Sequence, residues 1–83
     1  MGSVKNLAEL KTQCLNKNND YYIALNGGLR SSKNITYNST TDRWHIHNEI
    51  DNTYDVFNGD EDFKEKYPLF FAALKMGAII KYR

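Results

Sequence analysis

Residues 43–50 read RWHIHNEI. In an extended chain successive side chains point to opposite faces. That rule puts Trp44, Ile46, Asn48 and Ile50 on one face, and His45, His47 and Glu49 on the other. The first face is mainly apolar and the second polar, the pattern of an antiparallel sheet packed on one side and wet on the other. The stretch therefore predicts a strand of such a sheet, with helices mainly on its apolar face.

The neighbouring segments extend this reading in both directions. Lys33 to Tyr37 reads as a strand with Ile35 and Tyr37 on one face, and the polar cluster 38–42 joins it to the first as a hairpin. Tyr21 to Leu25 is another short strand, ended or bent by Asn26, Gly27 and Gly28. On the other side, Asp51 to Thr53 is a turn, and Tyr54 to Phe57 is a short edge strand or an extended lead-in to a helix.

Two regions carry helical spacing. Val4, Leu7, Ala8, Leu10, Cys14 and Leu15 recur every three or four residues, which predicts a helix over 4–17 with Ser3 as its N-cap. Asn58 with Glu61 three residues on matches a capping box, and Asp60, Glu61 and Asp62 suit the first turn of a second helix. Phe63, Tyr67, Phe70, Phe71 and Leu74 mark its apolar face. Pro68 lacks the N–H a helix interior requires, so this helix kinks there or divides, its second part starting at Pro68. Gly77 suits a helix C-terminus, and 78–82 reads as a closing strand.

The expected fold is an α+β domain over residues 1–83. It has a small antiparallel or mixed sheet of three to five strands, an N-terminal helix, a C-terminal helix broken at Pro68, and a closing C-terminal strand. Residues 1–3 read in part as a remnant ahead of the natural chain. At 83 residues one domain is expected, and 41% hydrophobic and 13% aromatic residues place it among globular chains. A single cysteine, Cys14, excludes an internal disulfide and fits a reducing compartment, so a cytoplasmic location is expected. No apolar run is long enough to span a membrane, so no membrane partner is expected.

The net charge is only +1, but its signs are segregated. Bases dominate through Thr41, and bases dominate again from Phe63. Between them Asp42, Glu49, Asp51, Asp55, Asp60, Glu61 and Asp62 stand against Arg43 alone. A strong nucleic-acid binder would show a clear basic excess. The acidic run fails the spacing of a calcium loop. It serves helix capping and solvation, and would also suit a basic partner or mimic nucleic acid.

Three groups of residues invite a chemical reading. Residues 25–33, LNGGLRSSK, place Arg30, Ser31, Ser32 and Lys33 after a glycine pair. Such a loop can gather backbone N–H groups around an anion. The spacing fits neither a phosphate loop nor a dinucleotide fingerprint, which favours a turn that presents Arg30 and Lys33 at the rim of the sheet. His45, His47 and Glu49 share a strand face and would suit zinc, but a solvated polar face is the favoured reading and no metal is expected. Cys14 falls on the helix stripe as a buried thiol.

Leu25 to Lys33, then Asn48-Glu49-Ile50-Asp51, then Gly77-Ala78-Ile79-Ile80 resemble small uncharacterised phage and prophage proteins of low-GC bacteria. The likeness spans about residues 20–82. It implies a host-takeover or anti-defence factor that binds a host protein. The residues themselves form no complete catalytic set, so a binding module without cofactor is expected. Its candidate contacts are Arg30, Ser31, Ser32, Lys33, His45, His47, Glu49 and Asp51. The alternative is a nucleic-acid-binding module using Arg30, Lys33 and exposed tyrosines.

Overall fold

The hairpin is present in the computed structural model, which describes residues 2–24 and 30–81 without the side chains of Arg30 and Ser31. It joins β3 (Arg30–Asn38) to β4 (Arg43–Asn48). The other strands are β1 (Gly2–Ser3), β2 (Asn19–Ala24), β5 (Thr53–Asn58) and β6 (Ile79–Lys81). Together they make one six-stranded sheet, antiparallel throughout, in the order β1-β6-β2-β3-β4-β5. The fold is α+β as expected, with more strands than the three to five read from the sequence. The additional pairing comes from Gly2 and Ser3, which lie along β6 and had been assigned to no strand.

The helices are α1 (Leu7–Gln13), α2 (Gly59–Lys66) and α3 (Pro68–Lys75). α1 is shorter than residues 4–17, and Ser3 is not its cap. The N–H of Val4 is held by the carbonyl of Ile79 at 2.9 Å, which keeps that residue extended along β6. The cap is Asn6, whose side chain accepts from the N–H of Glu9, while Glu9 accepts from the N–H of Lys5. This is a capping box displaced by one residue from its usual reach.

At α2 the expected box is absent. The Asn58 side chain makes no cap bond, and Asp62 rather than Glu61 accepts the Asn58 N–H, at 2.8 Å. The chain turns straight from β5 into the helix through Gly59 at φ +89°, a backbone region that favours glycine. The division at Pro68 is as expected, with Pro68 opening α3. Gly77, at φ +73°, ends α3 in a Schellman motif. Its N–H bonds Leu74, and the Ala78 N–H bonds Ala73.

All three helices cover one face of the sheet. That face supplies Tyr21, Ile23, Ile35, Tyr37, Trp44, Ile46, Phe57 and Ile79, all buried. Phe63 of α2 sits at the centre of an aromatic cluster, with ring centroids 5.1 Å from Trp44, 5.0 Å from Phe57 and 5.2 Å from Phe70. Asp60 ties three elements together. It accepts Nε1–H of Trp44 and the ammonium of Lys11, each at 2.9 Å. Burial works against its charge, but those two donors outweigh it and hold its pKa below the ordinary carboxylate value. Cys14 is buried on the same side, 3.3 Å from the Tyr21 hydroxyl, and burial raises its pKa to about 11. No helix among the described residues is long and apolar enough to cross a membrane.

Candidate functional site

The covered face changes character along its length. Its apolar part lies under the helices around Trp44 and Phe63. Beyond Ile35, Ile46 and Phe57 the same strand faces continue as Lys33, Asn48, Asp55 and Thr53. The register puts Lys33 opposite Asn48 and Asn48 opposite Thr53, so one row across three strands is polar. Lys33 and Asn48 are each only 7% exposed. An ammonium so buried is costly unless it is hydrogen-bonded and near compensating charge.

The row supplies those partners. The Lys33 ammonium donates to Oδ1 of Asn48 at 2.5 Å. Asn48 then donates through Nδ2 to Asp55 at 2.8 Å and to the Thr53 hydroxyl at 3.2 Å. The Thr53 hydroxyl in turn donates to the Asp51 carboxylate at 2.7 Å. That hydrogen bond, followed by backbone donors and the charge of Lys33, holds the Asp51 carboxyl below its ordinary pKa against some desolvation. Lys33 also lies 5.8 Å from the centroid of the Tyr67 ring. Above the row is a groove of about 540 Å³, closed on the helix side by Lys66 and Tyr67 and floored by Phe57. Its lining supplies charges of both signs, donors and acceptors, and one apolar wall.

The groove runs along β5, an outermost strand of the sheet. Backbone groups of an antiparallel strand turn alternately to either side. The Asn58 N–H is bonded to Asp62, so Asn58 turns away from β4. By alternation the N–H and C=O of Val56 and Tyr54 also turn outward. The N–H of Glu49 donating to the carbonyl of Ser32 gives the same parity from the other side, because it directs His47 and His45 toward β3 and leaves Ile46 and Asn48 to pair with β5. Tyr54 and Val56 are 71% and 49% exposed. The Tyr54 ring stacks on His47, with centroids 4.3 Å apart and planes 14° from parallel. That closeness fits the narrower, non-hydrogen-bonded pair position that His47 and Tyr54 occupy.

The residues picked from the sequence fall on two sides of the sheet. Lys33 and Asp51 belong to the groove. Lys33 is a correction, since it was expected exposed at the rim and is buried on the face of Ile35 and Tyr37. Ser32, His45 and His47 lie on the opposite, open face. Glu49 and Ile50 fall in the turn after β4, so neither continues the strand alternation, and Ile50 is 71% exposed instead of packed beside Trp44. No three His, Cys, Asp or Glu side chains among the described residues converge as metal ligands. The glycine pair and the rest of residues 25–29 lie outside the described residues, as do the side chains of Arg30 and Ser31. Among the described tyrosines only Tyr54 is exposed, and it stands on the face opposite Lys33.

Thr53, Asp55 and Tyr67 were missed as site residues, and so was Asn48, the hub of the row. The signal for the first two was present: they share the parity of Phe57 and continue its face toward the turn. Tyr67 packs on the core as its place in the apolar stripe predicts, its ring 5.5 Å from Phe70 and 6.0 Å from Phe57, and at the break between α2 and α3 it also lines the groove. Comparison with protein-family models, with curated proteins and with solved structures returns no match.

Proposed function

We propose that this protein is a small non-catalytic binding module that engages another protein along β5 and the groove beside it. The observation that carries the reading is the exposed Tyr54 and Val56 on an outermost strand whose backbone groups turn outward. Open strand edges are templates for partner strands, and exposed aromatics supply contact area at small entropic cost. The resemblance to phage and prophage proteins supports a setting for this role, a phage-encoded factor acting on a host protein in the host cytoplasm.

The test is affinity capture from a low-GC bacterial lysate, with and without nuclease, using the wild type and Tyr54→Ser. A protein retained after nuclease treatment and lost with Tyr54→Ser is expected. Capture that vanishes with nuclease would replace this reading by nucleic-acid binding. Identical capture by both forms would remove β5 from the interface.

A further inference from the structure

We infer that β5 accepts an extended segment of a partner protein as an added strand, and that this segment carries lysine or arginine opposite Asp55 with apolar residues at the flanking positions. The inference rests on the binding role proposed above and specifies the chemistry of the partner.

The backbone argument comes first. Tyr54 and Val56 each offer an N–H and a C=O on the outer side of β5, and no strand among the described residues takes them. Proteins usually blunt such an edge with lysine, proline, a bulge or an inward-pointing charge. β5 reads TYDVFN, without lysine or proline. Its one guard is Asp55, half-buried on the groove side and held by Asn48.

Asp55 also selects the partner. A residue directly opposite it on an added strand would point into the same groove. An apolar or acidic side chain there would leave the carboxylate desolvated or repelled, whereas a cation would complement it. From Trp44 to Asp62 the chain holds Glu49, Asp51, Asp55, Asp60, Glu61 and Asp62 and no lysine or arginine. Lys33 and Lys66 line the same groove, but Lys66 pairs with Asp62 and Lys33 reaches Asp55 only through Asn48, so among the described residues no ammonium contacts the Asp55 carboxylate. Residues flanking the cation would lie on the open face beside Tyr54 and Val56, where apolar side chains find cover. A second copy of this chain is disfavoured as the occupant, because it would bring its own Asp55 and acidic run to the same seam.

The experiment follows amide exchange of the full chain by NMR while adding one of two capped seven-residue peptides, alternating lysine with valine or glutamate with valine. Slower exchange at Tyr54 and Val56 with the lysine peptide alone is expected. Asp55→Asn should weaken that peptide about tenfold, the size of one charge-assisted hydrogen bond. Unchanged exchange at the Ile46 and Phe57 amides would show that the variant is folded. No slowing at Tyr54 and Val56 with either peptide overturns strand addition, and equal slowing with both overturns the basic partner. Slowing that grows with protein concentration in the absence of peptide makes a second copy the occupant and also overturns it. If a lysate protein is captured in a Tyr54-dependent way but leaves both amides unprotected, strand addition fails while the binding role stands.

Discussion

Trp44 and Asn48 lie on one strand, on one face, and both are buried, yet they sit in opposite chemical surroundings. Around Trp44 the helices close over the sheet, and rings from α2 and α3 pack against one another. Around Asn48 the helical cover thins at the break before Pro68, and burial comes from a chain of hydrogen bonds beside an open groove. A fully covered end can be held by apolar area. A partly covered end needs directional partners for every polar group it hides. The first arrangement builds the domain, and the second leaves functional groups ordered at its border.

Four measurements would break or sharpen that contrast. Phe63→Ala, which empties the ring cluster, should cost about 3–5 kcal/mol and shift the urea midpoint strongly downward. Asn48→Ala should cost about 1–3 kcal/mol, because it strips a partner from both Lys33 and Asp55. A cost for Asn48→Ala as large as that for Phe63→Ala would erase the distinction between the two ends.

The third concerns acid. The folded-state pKa of Asp60 is lowered, so its stabilisation is fully present above the unfolded carboxylate pKa of about 3.9 and is lost as pH falls through the lower folded value. Urea titrations across this acid range should show a shallower loss for Asp60→Asn than for the wild type. The smallest expected effect on stability is that of Tyr54→Thr. It should stay within about 0.5 kcal/mol of the wild type while abolishing nuclease-resistant capture. A large loss of stability would instead make the His47–Tyr54 stack structural.

Much of the fold was legible, and the errors have identifiable causes. The alternation in RWHIHN matches the burial of Trp44, Ile46 and Asn48, but it was carried too far into Glu49 and Ile50. The chain turns there, with Asn52 at φ +54°. The cap of α1 was misplaced although Asn6 and Glu9 show the same spacing used to argue for Asn58 and Glu61. Two segments competed for Val4, and pairing along β6 prevailed over helical spacing. At the site, Lys33 was judged by its residue type, while its parity with Ile35 and Tyr37 already placed it on the covered face.

The sequence by itself determined the local grammar. Alternation marked the strands, Pro68 divided the helix, Gly77 stopped it, and the polar cluster at 38–42 closed the hairpin. Each of these acts through atoms a few residues apart, so neighbours in the chain suffice to read it. The sequence left Tyr54 to Phe57 as an edge strand or a lead-in to a helix, and only the tertiary structure decided for the edge strand, inserted β6 between β1 and β2, and buried a lysine where the helices stop. Those outcomes depend on register between segments far apart in the chain and on how far the helical layer reaches, which no local pattern encodes.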